Sequence, residues 1–230
     1  KQETKKILNA DFVIDATGSR GVFSADRGAY KIKGTSLMCV GLRFKNKGQR
    51  EVSKLTHLES VEHGWWYAAR IPREYLLVTF YTTAAVVKKL GLHDLKNWIQ
   101  LLAEAPNTWN LLSQMEPVEN KIRGFNSASF CLNTLVGEDW LAIGDTASTY
   151  DPITSQGITK ATTQGARAAE IINYYLKGSK KALEQYQKEI KSQYEYYLTS
   201  RNYFYNLEKR WPKSLFWKTL QQDELSIFKS

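Results

Sequence analysis

The chain has 230 residues, 43% of them hydrophobic and 24% charged, with a net charge of +9. That length and apolar share suit a sizeable core in one or two domains, and no stretch is apolar for long enough to span a membrane. Cys39 and Cys131 have no CxxC or His pairing, and His57, His63 and His93 show no ligand spacing, so buried reduced thiols in a cytoplasmic protein and no metal site are expected.

Residues 1–9 are polar and lysine-rich, without an apolar signal-peptide region or an initiator Met. Phe12-Val13-Ile14 then reads as a short buried strand running into Asp15-Ala16-Thr17-Gly18-Ser19-Arg20, a Gly-containing turn with an Arg free to reach outward. Residues 37–44, 64–71 and 75–82 are rich in aromatic and aliphatic side chains, with turn signals at 46–48 and at Pro72-Arg73-Glu74. They predict antiparallel strands, and residues 122–130 predict a fourth. Residues 95–103 and 108–115 have helical spacing, separated by Pro106.

Within 64–71 the run Gly64-Trp65-Trp66-Tyr67 concentrates aromatic surface. Strand alternation puts Trp65 and Tyr67 on one face and Trp66 on the other. Trp65 and Tyr67 make the wider platform and are assigned to a ligand cavity, Trp66 to the core. Plain core packing of all three rings fits the same pattern. His63, beside Gly64, can approach that cavity, but a surface position is the expectation.

The stretch from Trp140 to Ile158, WLAIGDTASTYDPITSQGI, is the most informative. Residues 141–143 form an apolar strand edge, Gly144 permits a sharp turn, and Asp145 stands at the strand's carboxyl end, where open α/β sheets bind ligands. Asp151-Pro152 breaks the chain, and Ser155-Gln156-Gly157 opens a helix whose first N–H groups can meet an anionic or electron-rich ligand. A nucleotide cofactor suits that combination. An ordinary strand–loop–helix crossover with Asp145 as a turn residue fits the same spacing. In the helix, Ile158, Ala161, Gly165, Ala168, Ile172 and Tyr175 share one predicted face.

The last fifty-odd residues are basic, with eleven Lys/Arg against six Asp/Glu from Lys177 onward. Leu183, Tyr186, Ile190, Tyr194 and Tyr197 have helical spacing, and Tyr203, Tyr205, Trp211, Phe216 and Trp217 continue an aromatic tail. Such a mixture can meet nucleic acid, an acidic partner or a membrane surface. The aromatics follow the apolar stripe and no nucleic-acid motif appears, so helices packed with a solvated basic face are the expectation.

GDTAS, DP, SQGI and the small-residue helix together resemble the second FAD fingerprint of the class A flavin monooxygenase superfamily, which includes flavin-dependent halogenases and geranylgeranyl reductases. DATGSR resembles that superfamily's other fingerprint turn. The resemblance implies that Asp145 binds the ribityl chain of FAD, that Gly157 and Ile158 present N–H groups to the isoalloxazine edge, and that Thr17, Gly18, Gly144 and Pro152 shape the site. The family's opening G-x-G-x-x-G is absent here, so a longer flavoprotein with a preceding FAD-binding segment is expected. Gly64-Trp65-Trp66-Tyr67 is similar to the GWWY strand of a halogenase-like branch that includes flavoproteins maturing protein-derived quinones.

The implied fold is mixed α/β: segments of a Rossmann-like FAD-binding domain (1–35 and 131–178), an antiparallel-sheet substrate domain (36–130), and a helical C-terminal region (179–230). The implied activity is an FAD-dependent monooxygenase using NAD(P)H as reductant and acting on a small-molecule or peptide aromatic substrate, indole included, through a flavin hydroperoxide. Ser148 stands where the family often has His, and the W-x-W-x-I-P spacing of tryptophan halogenases is absent, which places halogenation second. An isoprenoid-type flavin reductase and a partner-binding module without FAD are further readings of the same residues. No catalytic residue is assigned.

Overall fold

The computed structural model describes residues 8–34, 36–48 and 51–222. Most of the lysine-rich start and the last eight residues of the basic tail lie outside the described residues. The first segment carries β1 (Val13–Asp15), α1 (Val22–Asp26) and β2 (Lys31–Lys33). The middle segment carries β3 (Met38–Asn46), β4 (His57–Val61), β5 (Gly64–Ile71), β6 (Tyr75–Thr82), α2 (Ala84–Leu90), α3 (Leu95–Ala103), α4 (Pro106–Leu111), β7 (Met115–Pro117) and β8 (Arg123–Asn126). The last carries β9 (Phe130–Leu132), β10 (Trp140–Ala142), α5 (Gly144–Ala147), β11 (Ser148–Thr149), α6 (Gly157–Leu176), α7 (Lys181–Leu207) and α8 (Leu215–Gln221). These elements form two units, one of residues 8–34 and 129–199, the other of residues 36–128 and 200–222.

The second unit is built on an antiparallel sheet in the order β4-β5-β6-β3-β7, with β8 also pairing β3. The hairpin β5–β6 closes at Pro72-Arg73-Glu74, where Arg73 and Glu74 take φ of 69° and 58° so that Ile71 can face Tyr75. Trp66, Phe80 and Trp98 are fully buried together, and the Trp98 indole N–H donates to the Val40 carbonyl at 3.3 Å. Asp94 caps α3 by accepting from the Asn97 N–H at 3.1 Å, and buried Trp98, Leu101 and Leu102 turn that helix onto the sheet. The start of α4 is capped from β4: Glu59 accepts from the Thr108 N–H and hydroxyl, both at 2.7 Å.

Two sequence expectations are corrected in this unit. Residues 122–130 do not form one strand; Asn126 folds back to accept the Ala128 N–H at 2.9 Å, ending β8, and β9 begins afresh at Phe130 in the other unit. The helix predicted over 108–115 starts at Pro106 and stops at Leu111, because Gln114 takes a left-handed φ of 70° and Met115 pairs with Asn46 in β7.

The first unit joins a parallel pair, β1 with β10, and a three-stranded antiparallel sheet, β11-β9-β2, to α6 and the amino-terminal part of α7. Its apolar cluster includes Leu141, Ala142, Ala168, Ile171, Tyr186, Ile190, Tyr194 and Tyr197. The tyrosines of α7 also serve backbone groups: Tyr186 donates to the Ala142 carbonyl at 2.9 Å, and Tyr197 accepts the Asp151 N–H at 2.9 Å. The face expected for α6 packs inward at Ala168, Ile172 and Tyr175 but fails at the start of the helix. Ile158 is 86% exposed, and the buried positions are Lys160, Gln164, Ala168 and Ile171. Polar partners hold Lys160 and Gln164 inward, which an apolar periodicity cannot register.

Candidate functional site

The two glycine-containing turns singled out in the sequence end adjacent strands. Val13 pairs with Trp140 and Asp15 with Ala142 in a parallel register, so both turns leave the sheet at the same carboxyl edge. They are tied directly: the Thr146 hydroxyl donates to the Gly18 carbonyl at 3.0 Å.

The first turn is organised by Asp15, which is only 1% exposed. Its Oδ1 accepts from the Thr17 N–H at 3.0 Å and the Thr17 hydroxyl at 2.6 Å, and its Oδ2 accepts the Ser24 N–H at 2.7 Å. Burial raises the cost of ionising this carboxyl, but the hydrogen bonds from Thr17 and Ser24 outweigh it and hold the group below its ordinary value. Thr17 in turn accepts the Val22 N–H at 2.8 Å, so its side chain is part of the turn. Gly18 takes φ of +71°, with open space where a Cβ would stand.

The second turn is organised by Gly144 and Asp145. Gly144 has φ of +60°, and a Cβ there would meet the Ala161 Cβ at 3.4 Å, so helix α6 approaches the turn closely. Its N–H donates to Gln164 Oε1 at 2.9 Å, a bond from the buried side of α6. Asp145 points outward, its side chain 56% exposed. Downstream, Asp151 caps the short turn at Pro152–Thr154 by accepting the Ile153 N–H at 3.0 Å. Helix α6 then opens at Gly157 with no side chain capping its first turn, and nothing lies within 4 Å of the missing Gly157 Cβ.

Lys160 is part of this site and was not foreseen from the sequence. Its side chain is 4% exposed, and the ammonium meets Asp145 Oδ1 at 3.1 Å, the Ser148 carbonyl, and the face of Tyr150 at 4.5 Å from the ring centroid. Burial lowers its affinity for a proton, partly offset by the Asp145 carboxylate. A lysine on a helix of mixed composition carries no mark of such a position; only the spacing of three from Gly157 was there to find. A cavity of about 470 Å³ beside it is lined by Tyr150, Gln156, Thr159, Thr163, Gln193 and Tyr196, with Lys160 itself in the wall.

In the other unit, Trp65 and Tyr67 share a face of β5 and Trp66 takes the opposite one. Trp66 meets Trp98 edge-on at 5.0 Å. Trp65, expected to open onto a cavity, has no exposed surface: it stacks on Tyr81 at 4.1 Å and donates its indole N–H to Tyr205 at 3.1 Å. Tyr67 is half-buried. Among the described residues no cluster of three or more His, Cys, Asp or Glu could hold a metal ion, and no helix is long and apolar enough to cross a membrane.

Comparison with known proteins places this geometry in a family. A putative FAD-dependent oxidoreductase, LodB, from Marinomonas mediterranea is 28% identical over 217 residues, covering 94% of this chain and 58% of that protein. The chain therefore spans a little over half of that relative. Among solved structures, the flavin-dependent halogenase CmlS superposes with a TM-score of 0.79 at 24% identity, covering 92% of this chain and 40% of CmlS. QhpG, a peptidyl tryptophan dihydroxylase essential for tryptophylquinone cofactor biogenesis, does so at 0.67 and 21% identity, covering 86% and 47%. These two likenesses establish a shared fold, and the tryptophan halogenase family model matches residues 1–227. With both fingerprint turns at one sheet edge and nearly every residue inside that match, the chain belongs to the tryptophan halogenase family.

Proposed function

We propose that the protein carrying this chain is an FAD-dependent monooxygenase acting on an aromatic substrate, with indoles and tryptophan-containing peptides as the class, and with a nicotinamide as external reductant. The observation that carries the cofactor half is the parallel pairing of β1 with β10, which sets the Thr17-Gly18 and Gly144-Asp145 turns side by side at one carboxyl edge. The residues fit such a cofactor. An outward carboxylate stands at the strand end, the first turn of α6 is uncapped, and Gly18 and Gly157 leave room for close approach. Asp145 would hold a ribityl hydroxyl, and Gly157 and Ile158 would offer N–H groups to the ring edge. When bound, the flavin supplies the oxygen chemistry. The chain supplies binding and orientation, with Pro152 and Asp151 fixing the approach to α6.

The substrate would meet the Trp65–Tyr67 face of β5, with Tyr67 as the accessible ring and Trp65 as its buried support. The peptidyl tryptophan dihydroxylase among the similar folds supports hydroxylation; the family match supports halogenation as the second reading. Two buried thiols without a disulfide agree with a cytoplasmic setting.

The test is Asp145→Asn in the intact protein, which keeps the side chain's shape and removes its charge. Loss of a charge-assisted hydrogen bond should weaken FAD by about 1.5–3 kcal/mol. Unchanged flavin occupancy after exhaustive dialysis would remove Asp145 from the site.

A further inference from the structure

Lys160 is placed where neither packing nor solvation accounts for it. A lysine ammonium taken out of water is costly unless paired, and an apolar residue of similar volume at a buried position is often at least as stabilising. Its partner in the ion pair is not buried with it: the Lys160 side chain is 4% exposed and the Asp145 side chain 56%. The cation thus reaches the carboxylate from the protein side and leaves the other side of Asp145 to the outside. Only Oδ1 is engaged; Oδ2 accepts no hydrogen bond from any described residue. The ammonium is itself fixed by the Ser148 carbonyl and the Tyr150 ring, and its helix is fixed to the same turn one helical step later by the Gln164 bond to the Gly144 N–H. The carboxylate is therefore clamped at one oxygen by a donor that cannot swing.

We propose that Lys160 is a positioning residue of the flavin site, locking Asp145 through Oδ1 so that Oδ2 is presented to a hydroxyl of the bound cofactor. This rests on the assignment of Asp145 to FAD made above. A lysine serving only to hold the β10–β11 connection would need the Ser148 carbonyl alone, a contact that a neutral donor can make. The pair with an outward carboxylate is the part which that role leaves without a purpose.

The titratable groups facing Lys160 are few. Asp145 comes from α5, Cys131 from β9, Tyr150 follows β11, and Tyr196 of α7 lines the same cavity. Burial pushes the Cys131 thiol and the Tyr150 hydroxyl each up to about 12, so neither changes charge before Lys160, whose own value burial has lowered. Raising the pH should therefore discharge Lys160 before Cys131 or Tyr150, release Asp145, and loosen FAD.

The experiment measures FAD dissociation by flavin fluorescence in the intact protein for wild type, Lys160→Met, Asp145→Asn and the double variant, with melting temperature recorded beside it. Lys160→Met is expected to weaken FAD about tenfold at pH 7, in keeping with loss of one charge-assisted hydrogen bond. The double variant should bind no more weakly than Asp145→Asn alone. Wild type should lose affinity at alkaline pH while Lys160→Met stays flat. Full FAD affinity in Lys160→Met alongside weakened Asp145→Asn overturns the proposal, as do additive losses or identical pH profiles. Full affinity in Asp145→Asn overturns the reading of Asp145 itself, a separate outcome. Should Lys160→Met not fold, Lys160→Gln and the wild-type pH profile decide the same question: an affinity flat with pH overturns it.

Discussion

Two aspartates at the ends of neighbouring strands have opposite roles, and their hydrogen bonds tell them apart. Asp15 spends both oxygens on Thr17 and Ser24 and is shut away from any ligand, whereas Asp145 gives one oxygen to Lys160 and turns the other outward. Asp15→Asn should cost about 1–3 kcal/mol, because an amide must turn an N–H₂ group toward donors that need an acceptor. The loss is read from the urea midpoint. Asp15's carboxyl is depressed in the folded state, so its stabilisation is fully present above the ordinary aspartate value of about 4 and is lost as pH falls through the folded value. Wild type should therefore lose stability on acidification more steeply than Asp15→Asn; equal slopes would show that Asp15 contributes nothing through its charge. The carboxylate's place at the strand end was legible in the sequence, since Gly-Asp follows an apolar run there, while the same spacing also suits a plain turn residue. Lys160 was not legible, because burial of a lysine depends on partners brought from α5, β11 and the loop after it.

Helix α6 shows how element-level reading succeeds and where it stops. Its start at Gly157 followed from the Asp-Pro break and the glycine, and its extent from the helical spacing of Ile158 to Tyr175. Its orientation followed only in part: Ala168 is buried and Ile172 and Tyr175 pack against the apolar cluster as expected. Ile158 and Ile172 belong to the stripe drawn from the sequence, yet Ile158 is 86% exposed and the first buried isoleucine is Ile171, at 1%. The inward face of the first two turns is polar because it serves the Gly144–Asp145 turn. Ile171→Ala should cost about 2–5 kcal/mol of stability, and Ile158→Ala less than about 0.5 kcal/mol. Thermal melts of the two variants check this directly; comparable losses would restore the sequence-drawn stripe. In the other unit, the β5–β6 hairpin was legible from Pro72-Arg73-Glu74 and β8 lay inside the strand expected over 122–130, while β7, with three residues, carried too few for a period-2 signal.

At the scale of the whole molecule, the chain leaves its first unit after about thirty residues and returns to it near Ser129, so the turns at Thr17 and Asp145 are far apart in sequence and adjacent in space. That return was readable because two fingerprint-like turns occur in order with a strand-rich insertion between them. The three-stranded sheet β11-β9-β2 was not, since each strand has only two or three residues and takes its pairing from contacts across the unit. Each unit has its own apolar cluster, one around Leu141 and Tyr194, the other around Trp66 and Trp98. If FAD is held at the β1–β10 edge, it should stabilise the unit that contains that edge. Saturation at one hundred times Kd adds about 2.7 kcal/mol to the folded state that binds it. In hydrogen exchange on the intact protein, the protection gained with FAD should concentrate in residues 13–24 and 143–160 and leave the β6 amides near their cofactor-free rates. Protection gained chiefly across β3, β5 and β6, with the two turns unchanged, would move the cofactor away from the fingerprint residues and take Asp145 and Lys160 out of its site together.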